Sequence, residues 1–248
     1  MKIKIIKKKI EKDGFVIIKK IINKNQVNKI LKEMELTFDY CVSLSSKKKV
    51  LKSFDQKYMW LQKKHNKLKS RAYDISQLNQ SMFKTIFSKK LQNITKNYFG
   101  KSPLVDYPEI KFQDNLNKRL QPIHQDIYGT LSSKSLIAWV ALTKVSKFYG
   151  TLNLIKGSHK MGILKSKFYK SNGFKAHGTI KNLYKNLKIT HINIKSGDGV
   201  LFHPLLLHGS SKNFSKKIRI NYIVRFADIS GINYLNNLNC NYIRKPQF

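Results

Sequence analysis

The spacing of apolar and polar residues changes along this chain, and the changes divide it. Residues 1–22 alternate apolar and basic side chains around Asp13-Gly14, which predicts two short extended segments, 3–10 and 15–22, joined by a turn. Asn23 then precedes Gln26 by three, the spacing of a capping box. Val27, Ile30, Leu31 and Met34 follow at helical intervals, so a helix over 24–37 is expected. Residues 41–73 are rich in Lys and Ser with aromatic islands at Phe54, Tyr58 and Trp60, and their periodicity decides nothing. From Leu78 the apolar positions 82, 83, 86, 87, 91, 94 and 98 form one helical face closed by Gly100 and Pro103, which predicts a second helix.

Beyond Pro103 the texture becomes short apolar segments separated by Gly, Pro, Asn and Asp: 104–113, 120–127, 135–145, 151–155, 189–194, 199–207 and 218–226. Short strands at this spacing predict an all-β sandwich or barrel. The expected fold is therefore mainly β with N-terminal helices. We read it as one domain over 1–248, with a helical layer at 1–103, a β core at 104–248, and a long loop or lid at about 160–188.

Composition changes this picture little. The chain has 248 residues, 41% hydrophobic, enough for a full core, and disorder throughout is excluded. Its 49 Lys and Arg face only 13 Asp and Glu, a net charge of +36, yet the charged fraction of 25% is ordinary, so the excess reflects missing acid. Almost all the basic residues are Lys, spread from one end to the other. Nucleic-acid readers instead cluster charge and lean on Arg for bidentate contacts. Non-specific, salt-sensitive binding to polyanions is expected, and a specific nucleic-acid partner is not. The apolar runs fall well short of the roughly 20 residues of a membrane span. The opening residues lack the apolar core and cleavage site of a secretory signal. Cys41 and Cys240 form no metal or redox spacing, which suits a reducing cytoplasm.

The candidate chemistry begins at His124-Gln125-Asp126. Read as the end of an extended segment, positions 124 and 126 share a side, so an imidazole and a carboxylate can grip one ion. His208 closes the apolar run 199–207 and offers a third ligand. If the following hairpin folds about Asn213-Phe214, His208 faces Arg219 across the strands. An arginine in the body of an apolar strand is costly unless it binds an anion. Two His and one carboxylate form the facial triad of Fe(II) oxygenases and leave three positions open. A 2-oxo acid can occupy two of them and O2 the third; Arg219 would then hold the far carboxylate of 2-oxoglutarate, helped by the Ser210 hydroxyl.

Several stretches, in order, resemble the phytanoyl-CoA dioxygenase (PhyH-like) family of Fe(II)/2-oxoglutarate-dependent dioxygenases. They are Asp13-Gly14-Phe15-Val16, Pro122 to Asp126, Trp139, Gly150-Thr151-Leu152, Gly157-Ser158-His159, Gly197 to Phe202, and His208-Gly209-Ser210 through Arg219. The resemblance implies a double-stranded β-helix (jelly-roll, cupin-like) core, Fe(II) on His124, Asp126 and His208, and 2-oxoglutarate on Arg219 and Ser210. It implies hydroxylation of an unactivated C–H in a small molecule, with succinate and CO2 as co-products. Trp139 matches a family position lining the co-substrate pocket. Lys111 reaches a cofactor carboxylate if it points inward and is otherwise a solvated lysine, and His159 reads as structural. A basic pocket would suit an anionic substrate. Two other readings compete. A nucleic-acid demethylase of the alkylation-repair dioxygenase type shares the Arg219-x-Asn221-(x)3-Arg225 spacing, and a binding module could have kept the β-helix without the chemistry.

Overall fold

The computed structural model describes residues 3–45, 50–116, 120–171 and 174–231. Two antiparallel sheets carry the core. The larger has five strands in the order β1 (Phe15–Ile18), β8 (Gly199–Phe202), β3 (Ser135–Ala141), β10 (Arg219–Ala227) and β2 (Leu104–Gln113). The smaller has β7 (Thr190–His191), β4 (Leu152–Leu154) and β9 (His208–Ser210), and a separate hairpin pairs β5 (Ser166–Ser171) with β6 (Phe174–Thr179). This is the expected jelly-roll core.

The central strands are buried on both faces, and their period of two sorts side chains between two interiors. From β3, Leu136, Ala138 and Val140 join Leu201 and Ile220, Tyr222, Val224 and Phe226 of β10 in a core shared with the helices. The alternate residues Ile137, Trp139 and Ala141 face Leu152, Leu154, Val200 and Phe202 between the two sheets. On β10 that second, inward face carries Arg219, Asn221, Ile223 and Arg225, so its polar residues point into the barrel. Asp198 ties the sheet together at its turn, accepting from the Lys20 and Lys195 backbone N–H groups and from Lys19.

The helices are α1 (Ile3–Asp13), α2 (Lys24–Ser43), α3 (Phe54–Lys64), α4 (Asn66–Ser76), α5 (Gln80–Ile86) and α6 (Lys89–Phe99). The Asn23–Gln26 capping box is formed, and α2 runs six residues past the expected end because Phe38 and Cys41 continue its buried stripe. Residues 3–13 are helical, not extended. Ile6 and Ile10, four apart, are the buried pair, and the lysines between them are solvated in either geometry. Gly14 then takes φ +84 and donates to Ile10 O, and a Cβ there would meet Leu206 and His159. The aperiodic 41–73 stretch holds α3 and most of α4. The expected second helix is two, because the Ser88 side chain caps α6, and Leu78 (76% exposed) and Phe87 (57% exposed) lie off the buried face.

Three β expectations change. Residues 120–127 form no regular strand; they meet β9 at one bridge, His124 to His208, before a 3-10 turn at Asp126–Gly129. The 199–207 run leaves the sheet after Phe202, where His203 and Pro204 begin a turn. His208 and Arg219 are not cross-strand partners: β9 pairs with β4 in the small sheet and β10 with β2 and β3 in the large one. Part of the expected lid, 160–188, is the β5–β6 hairpin. Cys240 lies outside the described residues, while Cys41 is a buried free thiol.

Candidate metal centre

His124, Asp126 and His208 are brought together, each offering a ligand atom within 4.8 Å of the others. The Asp126 Oδ1 lies 3.3 Å from His124 Nε2 and 3.6 Å from His208 Nε2. The backbone explains the convergence: His124 and His208 exchange N–H···O bonds of 2.8 and 3.0 Å across their bridge, which brings the rings together, tilted by 47° with centroids 4.1 Å apart. Each imidazole is also oriented from behind. Nδ1 of His124 lies 2.8 Å from Pro122 O, and Nδ1 of His208 lies 3.0 Å from Leu206 O. A carbonyl can only accept, so Nδ1 carries the proton and each Nε2 lone pair points to the centre.

The electrostatics fit a cation. Burial pushes His208 down to about 4, with the neighbouring His124 adding to the effect, so its ring is neutral near pH 7. Burial alone would raise the Asp126 carboxyl, but Arg225, His208 and His124 outweigh it and hold it well below the usual carboxylate range. Two imidazole lone pairs and a carboxylate oxygen thus face one another in a buried space, an arrangement that a divalent ion satisfies.

Gln125, between two of the ligands, is the clamp that sequence reading missed. Its amide nitrogen donates to Gly162 O and Leu205 O at 2.8 Å each, and its oxygen accepts from Leu164 N at 2.9 Å. Tyr128 adds a bond to Leu164 O. The hairpin is pinned beside the centre by Thr179 N to Ile123 O, and Tyr128, His177 and Phe168 make a wall of edge-on rings there, with centroids 5.2 and 4.7 Å apart.

Of the remaining candidates, Arg219, Trp139, Ser210 and Lys111 lie on β10, β3, β9 and β2. Arg219 is 5% exposed, with Cζ 5.4 Å from the centroid of the buried Trp139 ring. Gln113 accepts from its Nε at 3.0 Å and from Nη2, and Asn221 accepts from Nη1. Burial lowers the guanidinium to about 9, which still leaves it charged at neutral pH. Ser210 follows His208 by two on β9, opposite Leu152. Lys111 is opposite Asn221 on β2, but its ammonium pairs with Glu109. His159 bonds Glu11 O, away from the ligands, as a structural residue would.

Sequence comparison matches the phytanoyl-CoA dioxygenase (PhyH) family model over residues 10–221. The chain belongs to that family. Among curated proteins, a PhyH relative from Bos taurus, the peroxisomal phytanoyl-CoA dioxygenase, is 33% identical over 128 residues, covering 49% of this chain and 35% of its own. The probable phytanoyl-CoA dioxygenase of Caenorhabditis elegans is 32% identical over 44% of this chain and 39% of its own length, so these matches span about two fifths of the relatives or less. A phytanoyl-CoA dioxygenase domain-containing protein 1 homolog from C. elegans is 24% identical with 90% of both chains covered. Among solved structures, the epimerase SnoN in complex with Fe3+, alpha ketoglutarate and nogalamycin RO superposes with a TM-score of 0.65 at 16% identity over 96% of this chain and 90% of that one. EctD from S. alaskensis with bound Fe gives 0.60 at 15% identity over 91% and 76%. The likeness to these solved structures shows the shared fold.

Proposed function

We propose that this protein is an Fe(II)- and 2-oxoglutarate-dependent dioxygenase that hydroxylates an unactivated C–H of a small molecule and releases succinate and CO2. The observation that carries the reading is the meeting of two imidazole Nε2 atoms and Asp126 Oδ1 in one centre, with a charged, buried arginine on the same barrel interior. Bound there, Fe(II) supplies the activation of O2 against the oxo acid, one oxygen atom ending in succinate and the other in the hydroxylated product.

The chain's own residues hold and orient. Three protein ligands leave three of six positions for the oxo acid and O2. Arg219, its Cζ 5.4 Å from the Trp139 ring centroid and oriented by Gln113 and Asn221, presents its remaining N–H groups to a distal carboxylate, to which we also assign the Ser210 hydroxyl. Lys111, opposite Asn221 on β2, would add a second cation to this half only by leaving Glu109. The ring wall of Tyr128, His177 and Phe168 lies where a substrate would shelter the reacting C–H from water. Exposed Lys165, Lys167 and Lys170 at the hairpin favour an anionic small molecule.

We place this activity in one domain comprising the helical layer and the barrel, in the cytoplasm. The buried free thiol of Cys41 suits that compartment. Among the described residues no helix is long and apolar enough to cross a membrane. The test is succinate release across a substrate panel with Fe(II), ascorbate and O2. His124→Ala and Asp126→Ala should abolish it and Arg219→Ala should weaken 2-oxoglutarate binding; undiminished succinate in the first two overturns the metal assignment.

A further inference from the structure

The two oxygens of Asp126 have different neighbours. Oδ1 faces both imidazoles, and Oδ2 lies 3.3 Å from Arg225 Nη2. Arg225 is 9% exposed and sits on β10, six residues after Arg219 on the same inward face. Its Nε has no hydrogen-bond partner although it is buried. Burial opposes its charge, but Asp126, Asp106 and Glu109 more than compensate, so the side chain is a permanent cation beside the ligand carboxylate.

A carboxylate left alone beside a divalent ion can bind through one oxygen or both. Two-oxygen binding would take one of the three positions that an oxo acid and O2 require. We propose that Arg225 is a positioning residue that engages Oδ2, keeps Asp126 a one-oxygen ligand and so keeps the third position open. Its unpartnered Nε–H is left for an acceptor on the molecule bound next to the metal. The first part stands on geometry alone, and only the consequence for 2-oxoglutarate rests on the function proposed above.

The test uses Mn(II) as probe metal in the full-length chain. Water-proton relaxation counts the waters on the bound ion. Arg225→Met should carry one fewer than the wild type, a loss of roughly one third of the inner-sphere relaxivity for an octahedral ion with three protein ligands. Mn(II) affinity by calorimetry should stay within about threefold, while 2-oxoglutarate affinity for the loaded protein falls roughly tenfold or more, as when a residue orienting a metal ligand is lost. Arg225→Lys should recover part of both. An unchanged water count in Arg225→Met overturns the proposal. So does joint loss of Mn(II) binding and the thermal transition in both Arg225→Met and Arg225→Lys, which marks a purely structural residue. Should wild type bind Mn(II) but no 2-oxoglutarate, the proposed function fails while the water count still decides the role of Arg225.

Discussion

Gln125→Leu tests whether the metal centre and the hairpin beside it are one mechanical unit. The side chain is 3% exposed and makes three hydrogen bonds, to Gly162 O, Leu205 O and Leu164 N, each 2.8 or 2.9 Å long. Leucine matches its bulk and makes none of them. Each bond is worth about 1 kcal/mol net, and a buried partner left unsatisfied costs about 1–3 kcal/mol, so the loss should be about 3–5 kcal/mol. Against a total stability of roughly 5–15 kcal/mol this is severe, about 10 °C in melting temperature for a chain of this size. Because Leu205 lies in the turn leading to His208, and Gln125 stands between His124 and Asp126, Mn(II) affinity should fall by about tenfold or more as well. Gln125→Glu sharpens the test. It keeps the acceptor for Leu164 N but sets a carboxylate oxygen 2.8 Å from two carbonyl oxygens, so at pH 7 it should be worse than leucine. The penalty should shrink as pH falls, because the protonated acid can donate to one of those carbonyls. Urea unfolding of the metal-free protein together with calorimetric Mn(II) titration reads both effects. A leucine variant within about 0.5 kcal/mol of wild type, with unaltered Mn(II) affinity, would refute the clamp; surface substitutions stay within that margin.

Burial pushes both His208 and His203 to about 4 in the folded protein, with His124 and His159 adding to the effect, whereas the unfolded chain titrates near 6.5. The unfolded state therefore binds protons that the folded state refuses, and stability should fall as pH drops from about 6.5 towards 4, at up to about 1.4 kcal/mol per pH unit for each ring. Metal-free urea melts at pH 7 and 5.5 should differ by about 2 kcal/mol, and equal midpoints would refute the burial argument. Gly150→Ala sets a Cβ 2.9 Å from Gln113 Oε1 at a φ of +79, so it should cost about 1–3 kcal/mol and loosen 2-oxoglutarate binding through Arg219. Wild-type values in melting and in 2-oxoglutarate titration would show that Gln113 does not orient the guanidinium.

How much of this was legible in advance varies with the range of the interactions involved. The three ligands and Arg219 could be named because each is a polar residue set at the end or in the body of an apolar segment, a local anomaly. The capping box and the alternation of β3 and β10 are local as well. The N-terminal segment misled because lysines separate isoleucines in a way that satisfies a strand or a helix equally, and only the packing of Ile6 and Ile10 decides. Pairing His208 with Arg219 failed for a related reason: adjacent segments were assumed to pair, whereas each found its partners in a different sheet. Gln113, Gln125 and Arg225 act through neighbours distant in sequence, so nothing near them marks their roles. The Arg219–Arg225 spacing was visible, but its link to Asp126 depends on a 3-10 turn roughly a hundred residues earlier.

The bridge between His124 and His208 also makes the chain between them a tethered loop of roughly eighty residues, for which each doubling of length costs only about 0.6 kcal/mol of closure entropy. The β5–β6 hairpin lies within that loop; Thr179 of β6 bonds Ile123 O, and Gln125 and Tyr128 hold Gly162 and Leu164 just before β5. Length added within that loop away from these bonds therefore costs little closure entropy. The architecture thus separates two kinds of change: exposed residues of the loop that make none of these bonds can vary at little thermodynamic cost, while those that engage Gln125, Tyr128 and Ile123 are tied to the ion-binding geometry.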